Sequence, residues 1–167
     1  YADAIREALR QEMLADDGVY IFGEDVAAYG GVFGVTMGLF EEFGPQRVRN
    51  TPLSEGAILG EAIGAAIYGL RPVPEIQFSD FLTTAMSPLV DLAATYHYRI
   101  GTPIPMTVRA PSGGGLNIGN FHSKMLEAWF AHVPGLKIVV PSTAYDAKGL
   151  LIASIRDNNP VLFLEQK

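Results

Sequence analysis

The sequence predicts a doubly wound α/β fold, in which a mainly parallel sheet has helices on both of its faces. Strand-like and helix-like segments alternate four or five times along the chain, which is the order typical of parallel sheets. The strand-like segments are continuous apolar runs, as expected when both faces of a sheet are buried. With 167 residues, of which 49% are hydrophobic, the chain is long enough for one domain with a full core.

In the first half of the chain, apolar spacing and glycine positions define the predicted elements. Residues 2–15 have apolar side chains at helical spacing, and residues 19–22 form a short apolar strand before Gly23. A glycine loop, a brief helix, a strand and a longer helix follow, and Gly69 ends the longer helix. Their predicted bounds are 30–34, 39–43, 48–50 and about 54–68, in that order.

The second half of the chain continues the alternation. A strand is predicted over residues 73–78, and the pattern from 81 to 98 predicts a long helix that Pro88 must kink or begin. A strand over residues 105–109 leads into a glycine-rich loop over 111–121. The remaining predicted elements are a strand at 136–140, a helix at 145–156 and a strand at 161–164.

Parallel sheets bind their ligands at the carboxyl ends of the strands. The loops that follow the predicted strands should therefore lie together at one edge of the sheet, where a site can form. These loops are residues 23–25, 51–55, 79–81, 110–123 and 141–143.

Composition argues against several classes of function. The net charge of −6 and the scattered basic residues argue against nucleic-acid binding. The chain has no cysteine, so it forms no disulfide or thiolate metal site, and a cytoplasmic or mitochondrial-matrix location is expected. No apolar run has the length of a membrane span. Because Tyr1 and Lys167 have the character of cut ends, the chain is expected to be one domain of a longer polypeptide.

Two carboxylates, Glu55 and Glu61, interrupt a run of apolar residues that is rich in glycine and alanine. The helix dipole favours an acid in the first turn of a helix, so Glu55 has a purely structural explanation. The functional alternative is a partly desolvated carboxylate that shares a proton with a ligand nitrogen. The residues alone leave both explanations open.

Gly56, Gly60 and Gly64 recur every four residues along the same predicted helix. Glycine costs about 1 kcal/mol inside a helix, so this stripe requires a reason, and close approach of another backbone is the usual one. Packing within the chain and packing across a subunit interface are equally consistent with the spacing.

His122 follows a loop with three consecutive glycines, and a histidine at that position is a candidate for general acid–base chemistry. The alternative is a histidine that is merely exposed in a surface loop. His97 and His132 lack metal-ligand spacing to it, so no zinc site is predicted. The fingerprints of nucleotide-binding proteins are missing, which disfavours an unrelated doubly wound protein of that class.

Several motifs, taken in order, resemble the beta subunit of the thiamine-diphosphate-dependent 2-oxo acid dehydrogenases, a group that includes pyruvate, branched-chain 2-oxo acid and acetoin dehydrogenases. The resemblance covers essentially the whole chain and corresponds to that subunit's N-terminal, pyrimidine-binding domain in the transketolase-like superfamily. The family's C-terminal domain is not represented. The motifs are GEDV (23–26), GGVF (30–33), TPLSE (51–55), GLRPVPEI (69–76), FHS (121–123), EAWFAHVPGLK (127–137) and DAKGLL (146–151).

The resemblance implies roles for four candidate site residues. Glu55 matches the family glutamate that hydrogen-bonds N1′ of the cofactor's aminopyrimidine and so activates the cofactor. Phe81 matches the aromatic residue that lies against the pyrimidine, although without the resemblance its sequence context favours a core position. Leu53 matches the apolar residue beside that aromatic ring. His122 matches the histidine at the substrate end of the site.

The resemblance also implies ions and partners. The family binds a structural potassium ion through backbone carbonyls, which here would belong to Met106, Ser154, Asp157 and Asn159. An alpha subunit would hold the diphosphate and Mg²⁺, so the active site would form between subunits of an alpha2–beta2 assembly. The resemblance implies that the enzyme decarboxylates a 2-oxo acid. The acyl group that remains would pass to a lipoyl-bearing acyltransferase core.

One departure from the family pattern follows His122. Lys124 and Met125 stand where the family normally has glutamine and a small residue, and the loop at 116–120 lacks the family's usual arginine and glycine. These differences bear on the substrate class and not on the cofactor. Lys124 and the unrepresented C-terminal domain support an alternative hypothesis, a non-catalytic assembly or regulatory module that retains the fold.

Overall fold

Six strands form the single sheet of the protein in the computed structural model, which describes all residues from 1 to 167. The strands are β1 (Val19–Gly23), β2 (Val48–Asn50), β3 (Arg71–Glu75), β4 (Thr107–Ser112), β5 (Lys137–Val139) and β6 (Val161–Gln166). Their order across the sheet is β2-β1-β3-β4-β6-β5, and every neighbouring pair is parallel. The predicted doubly wound, mainly parallel sheet is therefore confirmed.

Helices cover both faces of the sheet. They are α1 (Ala2–Ala15), α2 (Leu39–Phe43), α3 (Glu55–Ile67), α4 (Ala94–Ile100), α5 (Glu127–Phe130) and α6 (Ala144–Arg156). The buried residues of α1 and α6 share one core cluster with Ile21 of β1, whereas those of α3 share the opposite cluster with Phe22. Adjacent residues of one strand thus enter different cores, as the period of two in a β-strand requires.

The predicted long helix over residues 81–98 is wrong as a single α-helix. The chain forms a 3₁₀ helix at Ser79–Ala85, a π-helical stretch at Pro88–Ala93 and only then α4. Pro88 is the first residue of the π-helical stretch, a position at which its missing N–H is tolerated. The apolar pattern was helical, but the proline prevents one continuous ladder of hydrogen bonds.

Other elements also differ from the sequence-based expectation. The strand predicted at residues 105–109 is β4 at Thr107–Ser112. The strand predicted at residues 73–78 is β3 at Arg71–Glu75, because its five residues pair in register with Val19–Gly23 of β1 and β1 ends there. Helix α5 was not predicted, since four residues are too few to show a helical period.

Gly135 lies where no side chain fits. Its φ is +88°, and a Cβ there would lie 2.0 Å from the carbonyl oxygen of Ala94. Gly135→Ala is therefore expected to lower the free energy of unfolding by more than about 2 kcal/mol, through backbone strain and displacement of α4.

Chemical denaturation measures the effect of Gly135→Ala, and Gly149→Ala is the matched control. Gly149 is in α6 with open space around it, so alanine there should stabilise the protein by up to about 1 kcal/mol. Equal unfolding midpoints for Gly135→Ala and the wild type would contradict the close approach of Gly135 to α4.

A fully buried ion-pair triad joins three neighbouring strands. Arg109 of β4 is 0% exposed, and Glu75 of β3 and Glu165 of β6 are each 2% exposed. Arg109 donates from one terminal nitrogen to Glu75 Oε2 at 2.8 Å and from the other to Glu165 Oε2 at 2.9 Å. Burial raises the pKa of the Glu165 carboxyl, although Arg109 opposes the shift. The sheet therefore contains two carboxylates that depend on one guanidinium.

None of the helices has the length and hydrophobicity that a membrane crossing requires.

Candidate functional site

The strand order reverses between β1 and β3. From β1 the chain passes to β2 on one side of the sheet and then returns to β3 on the other side. The loops after β1 and β3 diverge at this point, and doubly wound sheets bind ligands in the crevice that results. Glu24 follows β1 directly, and the 3₁₀ helix at Ser79–Ala85 follows β3.

Glu55 is the first residue of α3 and lies at this edge of the sheet. Its Oε2 is 3.1 Å from the hydroxyl oxygen of Thr84, which belongs to the 3₁₀ helix after β3. A position in the first turn agrees with the helix-dipole explanation. However, the contact with a second loop places the carboxylate at the centre of the site edge, which a helix-start acid does not require.

Glu24 is a site residue that the sequence analysis missed. It is 6% exposed, and its Oε1 has no hydrogen-bond partner. Burial raises the pKa of the Glu24 carboxyl, and the nearby charges of Glu55 and Asp25 raise it further, whereas the Ser54 backbone opposes the shift. Glu24 lies in the motif GEDV and in the loop 23–25 that was expected at the site edge, but neither signal indicated a role for this side chain.

Glu24→Gln is expected to stabilise the protein at neutral and higher pH. Because the folded-state pKa is raised, the folded state binds this proton more tightly, and the resulting stability is lost as the pH rises through the folded pKa. Glutamine removes that loss, so the midpoint of thermal unfolding should be higher than that of the wild type at pH 8. Near pH 4 the variant and the wild type should have the same midpoint of thermal unfolding.

Thermal unfolding at pH 4 and pH 8 checks this expectation. Glu41→Gln, on the exposed face of α2, is the matched control and should not raise the midpoint of thermal unfolding at pH 8. A Glu24→Gln protein that is less stable than wild type at pH 8 would contradict the unfavourable ionisation of Glu24.

An aromatic cluster lies beside Glu55 on the same edge. The ring of His122 is 4.6 Å from that of Phe78, 5.4 Å from that of Phe81 and 5.7 Å from that of Phe121. His122 Nδ1 is buried without a hydrogen-bond partner. This histidine is therefore packed among phenylalanines, unlike a histidine that is merely exposed in a loop.

The glycine-rich loop before His122 is attached to the end of β6. The Lys167 ammonium donates to the carbonyl oxygens of Gly113 and His122 and lies 4.9 Å from the centre of the Phe78 ring. Burial lowers the pKa of Lys167, although Asp80 opposes the shift. These contacts hold the two ends of the segment from Gly113 to His122.

Lys124 is only loosely paired. Its ammonium is 3.8 Å from Asp80 Oδ1 and 5.4 Å from the centre of the Phe121 ring, and almost half of its side chain is exposed. The Asp80 carboxylate also accepts a hydrogen bond from the Lys124 backbone N–H. The unusual residue after the His122 motif therefore adds a positive charge to the rim of the site.

The remaining predicted site residues occupy two places. Leu53 is 81% exposed in the loop before α3, so an apolar contact there requires a molecule from outside this chain. The four residues assigned to potassium lie around the turn between α6 and β6. The carbonyls of Met106, Ser154 and Asp157 accept hydrogen bonds from Val161, Asp157 and Arg71, respectively. Potassium binding stays a prediction.

Five residues at this edge of the sheet form one row: Glu24, Glu55, Thr84, Phe81 and His122. The charge of Glu55 raises the pKa of the Glu24 carboxyl, Thr84 joins Glu55 to the backbone of Phe81, and the Phe81 ring lies 5.4 Å from that of His122. Buried polar atoms without partners lie towards both ends of the row, Glu24 Oε1 and His122 Nδ1. A flat nitrogen heterocycle is recognised by groups of this kind, an aromatic ring for its face and carboxylates for its nitrogens.

The whole chain, residues 1–167, matches the family described as "Transketolase, pyrimidine binding domain". The chain belongs to this family. The resemblance to the beta subunits of 2-oxo acid dehydrogenases is also confirmed by curated relatives with high sequence identity. This pyrimidine-binding domain is 53% identical over 169 residues to the 2-oxoisovalerate dehydrogenase subunit beta of Bacillus subtilis. The alignment covers 100% of the chain and 52% of the relative.

Two other relatives from Bacillus subtilis have comparable identity. The pyruvate dehydrogenase E1 component subunit beta is 50% identical, with coverage of 97% of this domain and 50% of the relative. The beta subunit of acetoin:2,6-dichlorophenolindophenol oxidoreductase is 45% identical, with coverage of 99% and 53%. The pyrimidine-binding domain thus spans about half the length of these curated relatives.

A solved structure, the inactive beta4 tetramer of a split-gene transketolase, shares the fold of this pyrimidine-binding domain. The TM-score is 0.75 at 17% sequence identity, with 97% of this chain and 49% of that chain covered. At that identity the likeness shows the fold alone, and it agrees with the doubly wound sheet.

Proposed function

We propose that this chain is the pyrimidine-binding part of the beta subunit of a thiamine-diphosphate-dependent 2-oxo acid dehydrogenase. The enzyme would oxidatively decarboxylate a 2-oxo acid, pyruvate or a branched-chain acid, and transfer the acyl group to a lipoyl group. The observation that supports it most is the row of Glu24, Glu55, Thr84, Phe81 and His122 at the switch point of the sheet. The names of the relatives support the same class of substrate.

Glu55 has the central role in this proposal. Its carboxyl would hold a proton at N1′ of the aminopyrimidine and exchange it during turnover, which is general acid–base catalysis through the cofactor. When bound, thiamine diphosphate supplies the electron sink for decarboxylation. Phe81 would lie against the pyrimidine face, Leu53 would contact the ring from the α3 side, and His122 would act at the substrate end.

The proposed site is shared with a partner. The chain has no phosphate loop, so an alpha subunit would hold the diphosphate and Mg²⁺. A Cβ built on Gly60 or on Gly64 meets no atom within 4 Å, so the glycine stripe of α3 is not explained by packing within the chain at these two positions. This open face supports an alpha2–beta2 assembly in which α3 packs against another subunit. A lipoyl-bearing acyltransferase core would receive the acyl group.

Reconstitution tests the proposal. The full-length beta subunit is assayed alone and with its co-purifying alpha subunit, in the presence of thiamine diphosphate and Mg²⁺. Carbon dioxide release from pyruvate and 2-oxoisovalerate is measured with an artificial electron acceptor. Release is expected only from the mixture, because neither subunit has the whole site.

Two results would count against parts of this proposal. Tight binding of thiamine diphosphate by the beta subunit alone would contradict the shared site. A complex that assembles and binds the cofactor but decarboxylates no 2-oxo acid would favour the non-catalytic module, for which the charge of Lys124 at the rim is the supporting observation.

A further inference from the structure

The hydroxyl group of Thr84 lies between two residues of the proposed site. Its oxygen is 3.1 Å from Glu55 Oε2 and 2.7 Å from the backbone carbonyl oxygen of Phe81. Glu55 precedes Thr84 by 29 residues and belongs to a different element, α3. The hydroxyl therefore links the start of α3 directly to the 3₁₀ helix that follows β3.

A hydroxyl group has one proton to donate and two lone pairs that accept. When Glu55 is ionised, Thr84 can donate to its carboxylate. When Glu55 is protonated, the carboxyl can donate to the Thr84 oxygen, and Thr84 then donates to the Phe81 carbonyl. The 2.7 Å distance to the Phe81 carbonyl oxygen is typical of an O–H···O hydrogen bond, and the 3.1 Å distance to Glu55 is slightly longer than typical. A small side-chain adjustment is therefore enough to satisfy each protonation state of Glu55.

We propose that Thr84 is a positioning residue that holds Glu55 in register with Phe81 in both protonation states of the carboxyl group. The inference rests on the proposed function, since it assigns a proton-exchanging role to Glu55. An acid that gains and loses a proton in each turnover requires a neighbour that tolerates both forms, and a hydroxyl group does so. A methyl group at the same place would satisfy neither form.

The local packing allows Thr84 to be tested without unfolding the protein. Thr84 is exposed, and a Cβ built on Gly56 would lie 3.6 Å from the Thr84 carbonyl oxygen, so the start of α3 and the 3₁₀ helix are already in contact through their backbones. Thr83 provides a matched neighbour. Its hydroxyl donates to the Asp80 carbonyl at 3.1 Å, the same local bond, and has no hydrogen bond with Glu55.

The test uses the full-length beta subunit assembled with its alpha subunit, in three variants. Thr84→Val is expected to lower kcat about tenfold, with KM within about twofold of the wild type, because a hydrogen bond to a charged group is lost. Thr84→Ser keeps the hydroxyl and should restore kcat to within about twofold of wild type. Thr83→Val makes the same change one residue away and should leave kcat unaltered.

A second measurement separates positioning from a purely structural effect. The dissociation constant for thiamine diphosphate is determined by calorimetry for Thr84→Val, for Glu55→Ala and for the double variant. Thr84→Val should weaken binding severalfold when Glu55 is present and have no further effect when it is absent, since the two residues act together. Equal effects in both backgrounds, or a Thr84→Ser enzyme as slow as Thr84→Val, would overturn the proposal.

The outcomes also distinguish this inference from the proposed function. If the wild-type complex neither binds thiamine diphosphate nor releases carbon dioxide, both proposals fail. If the wild-type complex is active and Thr84→Val has the same kcat and cofactor affinity, only the role of Thr84 is overturned.

Discussion

Glu55→Gln is expected to lower carbon dioxide release by the assembled enzyme at least about 100-fold, the usual contribution of a positioned acid–base group. Glutamine keeps the size and the hydrogen-bonding oxygen of the side chain but cannot exchange a proton at neutral pH. Thr84 can still donate to the amide oxygen, so the loop geometry should be retained. The loss should therefore appear in kcat, with little change in assembly.

Steady-state decarboxylation by the reconstituted complex measures the effect of Glu55→Gln, and gel filtration checks that the subunits still assemble. Glu41→Gln makes the same chemical change on an exposed residue of α2 and should retain wild-type activity. If Glu55→Gln bound thiamine diphosphate and turned over at close to the wild-type rate, the assignment of Glu55 would be wrong.

The second large effect is expected from the buried triad. Arg109→Met should lower the free energy of unfolding by about 3–5 kcal/mol, because it leaves two carboxylates inside the sheet without their cation. Burial already raises the pKa of Glu165 in the presence of Arg109. In the variant, the cost of the ionised carboxylates should therefore be largest at neutral and higher pH and smaller near pH 4, where the unfolded chain is also protonated.

Urea denaturation at pH 4 and pH 7 measures this effect, with two companion variants. Arg10→Met removes an arginine that pairs with Glu42 at the surface and should leave the free energy of unfolding almost unchanged. Replacing Arg109 by Met together with Glu75 and Glu165 by Leu should recover most of the stability, since the buried charges are then removed together. An Arg109→Met protein as stable as Arg10→Met would show that the triad is unimportant.

Much of the fold could be predicted because its signals are local. The apolar stripe of α1 gave both ends of that helix correctly, and the short apolar run that became β1 indicated burial on both faces. The segment around Pro88 was misjudged, since an apolar period does not distinguish α, 3₁₀ and π geometry. Helix α5 was too short to produce a period at all.

The candidate site was predicted only in part. Glu55 and His122 were found because the family resemblance gives their motif positions a role. Glu24, although it lies in the motif GEDV, and Thr84 were given no role, since their importance comes from contacts between separate elements. Thr84 and Glu55 are 29 residues apart, and nothing in either local sequence indicates the other. The same applies to the triad, whose members are separated by 34 and 56 residues.

Gly60 and Gly64 of α3 connect the conformational stability of the candidate site to subunit assembly. Each glycine weakens the isolated helix by about 1 kcal/mol relative to alanine, and a Cβ at Gly60 or Gly64 would meet no other part of this chain within 4 Å. Glu55 begins this helix, so fraying of α3 would also release the carboxylate from Thr84. A partner that binds the ordered helix stabilises it by mass action. Subunit concentration would then set the fraction of molecules in which Glu55 is held ready for proton exchange.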